Sequence, residues 1–311
     1  MLMHWIKKTK KKIILKKKRN IFLIILAFIV STFFAIILTN YYINKKQKEL
    51  LNSIYESTHK NIFEKTQNLI NDKQNTSLAI AISLSKDETL YTHLKNRDFE
   101  KLNYVKIAKL IETNSKYKNI WIQIFDSNLN SVYRSWTNIR GSLNFRPDLK
   151  KVEALKNIST SISAGLFNIG IRARTPIFDE NNNFYGALEV VTHFDSITED
   201  LVKNNISPVV IGDKSIRKNL TNPLLSKLFI DDYYIENGNV DINLYNYIKE
   251  NGVEKYINID NFIVENGYLI SKYQLFDENG NNLAYIINFM KLNNINLENI
   301  KHIKIQTTLG T

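Results

Sequence analysis

The chain has no cysteine among its 311 residues. No disulfide can brace it, and a zinc site has little to draw on without thiolates. Glycine is sparse, at 10 residues. No glycine-rich phosphate loop occurs, nor a Gly-x-Ser-x-Gly elbow or a His-Glu-x-x-His helix. His4, His59, His93, His193 and His302 stand apart from one another and from carboxylates at metal-ligand spacing. With no assembled acid, base and nucleophile, the expectation is a protein that is not an enzyme and uses no metal and no cofactor.

Acidic charge is missing from one end. Lys7, Lys8, Lys10, Lys11, Lys12, Lys16, Lys17, Lys18 and Arg19 precede the first acid and carry nine of the charges behind a net +12. Removing those nine from the 42 basic residues leaves 33 against 30 acidic ones. The folded part is therefore close to balance, and a basic stripe for nucleic acid is not expected.

Ile21 to Leu38 is 18 residues of aliphatic and aromatic side chains broken only by Ser31 and Thr32, and no charge falls between Asn20 and Asn44. At about 1.5 Å per residue such a helix spans a bilayer core. Tyr41 and Tyr42 stand where an aromatic belt would, and only Lys45 and Lys46 follow closely, so the positive-inside rule puts the N-terminus in the cytoplasm. A cleaved signal peptide is the rival reading, but the run is long and no Ala-x-Ala-like site follows it. The expected location is the bacterial inner membrane, single-pass, with the remainder outside and no second span.

Beyond the span, Ile43, Leu50, Leu51, Ile54, Tyr55, Thr58, Ile62, Leu69 and Ile70 recur at three- and four-residue steps, which predicts a long amphipathic helix. It either pairs with a copy of itself or packs on its own domain. Strand patterns then take over at Ile120–Phe125, Ser131–Trp136, Ser161–Leu166, Asn168–Phe178 and Phe184–Phe194, with a helix at Asp148–Asn157. A looser second set follows: Pro208–Gly212, a helix at Asp241–Glu250, and strands at Tyr256–Val264, Gly267–Phe276 and Asn282–Met290. Thr175–Val191 and Tyr273–Phe289 read as one hairpin repeated, each with Phe-Asp-Glu-Asn before an Asn/Gly turn, so Phe178 and Phe276 should be equivalent. The fold class predicted is α+β: a transmembrane helix continuing into a long helix, then two tandem PAS-like antiparallel-sheet modules.

That layout resembles the double Cache sensory domains of bacterial receptors. Trp121–Asp126, Tyr133–Trp136, Ser161–Gly165, Thr175–Asp179 and Glu189–Ile197 look like the sensory portion of Cache-bearing kinases, diguanylate cyclases and chemoreceptors of Campylobacter-like bacteria. The resemblance implies a basic tail over 1–19, a membrane helix over 20–43, a stalk over 44–85, a membrane-distal module over 86–200, a membrane-proximal one over 201–292 and a tail over 293–311. It further implies a small ligand in the distal module, read out through the long helix. The expected partners are that ligand, the membrane, a second copy through the stalk and a separate cytoplasmic output protein. The alternative is a membrane-anchored module that binds an envelope protein and no small ligand.

Arg134 and Trp136 are two apart on one strand and share a face, a cradle for a carboxylate with an apolar tail. The spacing looks like the Arg-x-Trp of amino-acid-binding Cache domains, which use an Asp for the amine; here Glu189 or Asp195 would have to substitute. Arg172 and Arg174 alternate onto one face with Asn168 and Gly170, a pattern that usually marks a solvated face, with Arg172 the candidate contact. His193 is read as a pocket or hinge group, or as a structural histidine. The ligand-binding candidates are thus Arg134, Trp136, Arg172, Glu189, His193 and Asp195.

Overall fold

The computed structural model describes residues 2–143, 146–218, 220 and 223–296. The expected tail over 293–311 therefore lies outside the described residues from 297 onward, and so does His302. Residues up to Ser57 belong to one compact unit, and Thr58–Ile295 form a second.

The first helix, α1, runs Leu2–Ser85. In the first unit its apolar stretch is bare: Phe22, Ile24, Phe28 and Phe33 are 63–69% exposed. It is the one helix among the described residues long and apolar enough to cross a membrane, and such surface fits a membrane anchor. In the second unit α1 buries Ile62, Thr66, Ile70, Lys73, Ser77 and Ala81. These lie three or four apart on one stripe, so this stretch packs on its own domain.

The first module contains α2 (Leu90–Asn96), α3 (Tyr104–Asn114), β1 (Trp121–Asp126), β2 (Asn130–Arg134), β3 (Gly141–Ser142), α4 (Pro147–Leu155), β4 (Ser159–Ala164), β5 (Ile169–Phe178) and β6 (Phe184–Thr192). After α5 (Asp195–Val202) come β7 (Ile206–Gly212), β8 (Phe229–Ile230), β9 (Tyr233–Ile235), α6 (Ile242–Asn251), α7 (Val253–Ile257), β10 (Phe262–Glu265), β11 (Tyr268–Phe276) and β12 (Asn282–Lys291). Each module is a six-stranded antiparallel sheet, ordered β3-β2-β1-β6-β5-β4 and β10-β11-β12-β7-β9-β8. Read from opposite ends the two orders coincide, with β7 standing for β1, β12 for β6 and β11 for β5. The fold is α+β with two tandem PAS-like modules.

The repeated hairpin is present at the level of single residues. β5–β6 slips register between Ile177 and Phe178, and β11–β12 between Leu275 and Phe276. In the turns, Asp179 accepts the N–H groups of Asn181 and Asn183, while Asp277 accepts those of Asn279 and Asn281. Asp126 does the same for Asn128 and Asn130 in the β1–β2 turn. The fourth residue of each turn is left-handed: Leu129 at φ 59°, Asn182 at 61° and Gly280 at 81°. An Asp-x-Asn-x-Asn string thus closes three hairpins by one device, a carboxylate satisfying the donors that a tight reversal leaves free.

Three predicted elements differ. The strand expected over Ser131–Trp136 stops at Arg134, so Trp136 follows β2 rather than lying in it. The strand expected over Tyr256–Val264 is helix α7 followed by the shorter β10, because Val253, Tyr256 and Ile257 all point into the second module's core, a helical spacing. The strand expected over Phe184–Phe194 stops at Thr192, and α5 begins at Asp195. Helices α2 and α3 lie where no element was read.

Candidate functional site

Strand alternation gives the first sheet two unlike faces. Ile122, Ile124, Tyr133, Ala173, Leu188 and Val190 point to α1, α2 and α3 and form an apolar core. Their neighbours point the other way and are polar: Gln123, Arg134, Arg172, Arg174 and Glu189, all 4% exposed or less. Cross-strand register joins them, since Gln123 opposes both Arg134 and Glu189, and Arg174 opposes Glu189. Arg146 and Asp148, at the start of α4, close over this face and are 2% exposed. The second module builds the same face from other residues. Its equivalents of Arg172, Glu189 and Val191 are Ile270, Ile287 and Phe289, packed with α6 and α7 into a continuous apolar core.

Glu189 is the hub. Arg146 grips its carboxylate at 3.0 and 2.6 Å, Arg172 at 3.1 Å, and Gln123 donates its amide to it. Arg174 lies 3.6 Å away. Asp148 takes Arg146 at 3.0 and 2.6 Å, Arg174 at 2.9 Å and the Ser163 hydroxyl at 2.8 Å. Burial alone would raise both carboxyls, but the Arg146 charge leads the terms that outweigh it. Glu189 is lowered to about 2, and Asp148 falls well below the carboxylate range. Both are ionised at any physiological pH. Arg172 is pulled down to about 10 by burial and then by the Arg146 charge, which Glu189 only partly offsets.

Beside this network a narrow cleft of about 10 Å³ is lined by Gln123, Arg134, Trp136, Arg146, Asn168 and Arg172, with Leu143, Leu166, Phe167 and Gly165. Arg134 donates Nε–H to the Gln123 side-chain oxygen at 3.1 Å and Nη1–H to the Ile139 carbonyl. Its guanidinium lies 5.3 Å from the Phe167 ring and 5.9 Å from Trp136, within cation–π range. Burial holds it down to about 10, helped by the charge of Arg140. Trp136 stacks on Trp121 at 4.6 Å, and its indole N–H is buried with no partner among the described residues.

Of the six candidates from sequence, Arg134, Trp136 and Arg172 meet at this cleft, and Glu189 holds Arg172 from behind. His193 and Asp195 do not line it. The His193 ring sits edge-on to Trp121 at 4.2 Å and donates Nδ1–H to the Asn119 carbonyl. Burial lowers it to about 3, so it stays neutral through the physiological range. Asp195 accepts the Gly238 N–H at 2.7 Å and the Asn119 amide at 2.8 Å, tying the modules together. Arg172 and Arg174 are not a solvated face, because Ser163 and Asn168 at the β4–β5 turn hold Arg172 and Asp148 of α4 holds Arg174. Arg146 and Asp148 were not read from sequence: they sit at a loop-to-helix junction where no periodicity applies. Glu189 carried a signal of its own, a lone acid inside Ala-Leu-Glu-Val-Val.

No family model matches the sequence, and no curated protein matches it. Solved structures similar in fold are sensory domains. One is from a sensory box/GGDEF family protein of Vibrio parahaemolyticus, at 16% identity, covering 77% of this chain and 99% of that one, with a TM-score of 0.44. A second is the sensor domain of the V. cholerae histidine kinase DctB, at 13% identity, covering 79% and 98%, with a TM-score of 0.43. A third is the sensory domain of the Campylobacter jejuni chemoreceptor Tlp3 with isoleucine bound, at 16% identity, covering 79% and 97%, with a TM-score of 0.39.

Proposed function

We propose that this chain is the extracytoplasmic sensing module of a membrane-anchored bacterial receptor, taking a small ligand in the cleft of the first, membrane-distal module. One contrast carries the reading. The sheet face that packs as apolar core in the second module, apart from Lys272 at the position of Arg174, carries a charged network in the first and borders a cleft. A buried charged face costs stability that a purely structural module avoids, as its own repeat does. The site is Arg134, Trp136 and Arg172, with Glu189 setting Arg172. Read-out runs through α1, whose Ser77 hydroxyl meets Thr192 at 2.8 Å in the first module and whose Thr66 meets the Asn288 amide at 3.4 Å in the second. Closure of the cleft shifts that helix, which continues into the anchor with its N-terminus in the cytoplasm, and a second copy pairs through the stalk.

The test is a thermal-shift titration of the full chain in detergent micelles against amino acids, short carboxylates, purines and amines. A ligand held at 100 times its dissociation constant adds about 2.7 kcal/mol of stability. The expected result is a saturable rise in Tm with one chemical class, abolished in Arg134→Ala. A well-folded protein that answers to none of the four classes is no small-ligand sensor.

A further inference from the structure

Four arginines, Arg134, Arg146, Arg172 and Arg174, are buried on one face of the first sheet, all 4% exposed or less. Only two carboxylates among the described residues pair with them, Asp148 and Glu189. The two residues of the neighbouring loop outside the description are Asn144 and Phe145, neither an acid. The cluster therefore holds two more positive charges than negative ones. Buried charge without a counter-charge is costly unless something neutralises it.

Both carboxylates are already engaged. Glu189 receives Arg146 twice, Arg172 and Gln123. Asp148 receives Arg146 twice, the Ser163 hydroxyl and the Leu149 N–H. Neither carboxylate is left free for an ammonium group, which would also meet four guanidinium charges. Unused donors, in contrast, are at hand. Arg134 pairs with no carboxylate, and its Nη2 donates to no described residue; the Trp136 indole N–H has no partner either. Leu143, Leu166 and Phe167 supply apolar wall beside these donors.

We infer that the ligand of this cleft is a small organic anion that carries no ammonium group, its oxyanion received by Arg134 and the Trp136 N–H and its apolar part lying against Phe167 and Leu166. This rests on the sensing function proposed above. It separates the site from one that reads α-amino acids, because an amino acid needs a free carboxylate as well as a free guanidinium. The cleft holds about 10 Å³, room for roughly one water, so a ligand of few heavy atoms enters only as the cleft widens.

The decisive experiment is isothermal titration of the full detergent-solubilised chain, in a buffer free of carboxylate and phosphate. The probes are matched pairs: propionate with alanine, isovalerate with valine, succinate with aspartate. Propylamine serves as the cation, and phosphate and sulfate as inorganic anions. Saturable binding of a carboxylate, with its α-amino partner at least about tenfold weaker, is the expected result. Saturable binding of phosphate or sulfate with no carboxylate bound would overturn the organic ligand. Binding of an amino acid or propylamine as tight as the matched anion would overturn the inference and leave the sensing function standing. No binding by any probe, with the far-UV circular dichroism of a folded protein, would overturn the inference, and the sensing function itself would fall only if the thermal-shift titration were silent as well. Arg134→Ala should abolish the carboxylate signal. Trp136→Phe keeps an aromatic ring against Trp121 and removes the N–H with part of the indole, so it should weaken binding by about tenfold while the far-UV circular dichroism stays that of the wild type.

Discussion

A buried guanidinium must find an anion, and this one demand explains most of the first module's polar face. Glu189 is fully buried against three arginines. Glu189→Gln keeps its shape and removes its charge, so it leaves further uncompensated positive charge inside and should destabilise the protein by about 3–5 kcal/mol. Chemical denaturation would show this as a lowered midpoint, and an unchanged midpoint would mean the network is solvated. Lys73 makes the converse case. It is 2% exposed on α1, bonds the Ser196 hydroxyl at 2.6 Å and lies 3.6 Å from the Tyr117 ring. Burial first, then the nearby Lys116, lowers its ammonium from 10.5 to about 7, although Asp195 and Asp200 pull the other way. Between those two pH values the unfolded chain holds a proton that the folded one releases, so this lysine's contribution to stability rises with pH from about 7 toward 10.5. Below pH 7 its burial penalty is present in full. Tm measured at pH 7 and pH 9 should climb in the wild type and climb less in Lys73→Met.

At the scale of elements, three turns of identical construction carry different fourth residues, and magnitudes decide what each tolerates. Asn182 is exposed at φ 61°, so Asn182→Gly removes mild strain and should leave Tm unchanged or raise it slightly. Leu129 adopts the same conformation but is 2% exposed in a cluster with Phe125, Leu149 and Val152. Leu129→Gly relieves about 1–2 kcal/mol of left-handed strain and forfeits about 2–5 kcal/mol of packing, so a lower Tm is expected. An increase there would mean strain dominates. These hairpins were legible in the sequence because turn chemistry and strand alternation are local. Helix α7 was not, since its five residues are too few for periodicity to separate a helix from an apolar strand, and α2 and α3 carry no strong stop or start signal.

At the scale of the molecule, the two modules of the second unit share buried polar contacts. Asp195 takes the Gly238 N–H, its carbonyl takes the Asn239 amide at 3.0 Å, and Glu236 of the second module takes the Ile169 N–H at 3.0 Å. Ile169 follows Asn168 of the cleft, and Leu225 of the second module packs with Trp136 and Phe167. Cleft and second module are therefore in direct contact. Asp195→Ala removes two half-buried hydrogen bonds, from Gly238 on one side of that contact and Asn119 on the other, and should cost about 1–3 kcal/mol. Calorimetry would show a single lowered transition if the junction couples the modules, and two separated transitions if Asp195 is what makes them unfold together.

The sequence by itself determined the apolar anchor, the long helix, the repeated hairpin and the tandem module class, because each depends on periodicity or turn chemistry within one segment. It also placed Arg134 near Trp136, although β2 ends at Arg134 and Trp136 lies just beyond the strand. Only the tertiary structure decided which charges meet. Arg146 reaches Glu189 from 43 positions away in the chain, and Asp148 reaches Arg174 from 26. The cover that turns Arg172 and Arg174 from a solvated stripe into a buried cluster comes from the β4–β5 turn over Arg172 and from Asp148 of α4 over Arg174. The charge balance of a site is a sum over neighbours in space, and no local pattern encodes that sum.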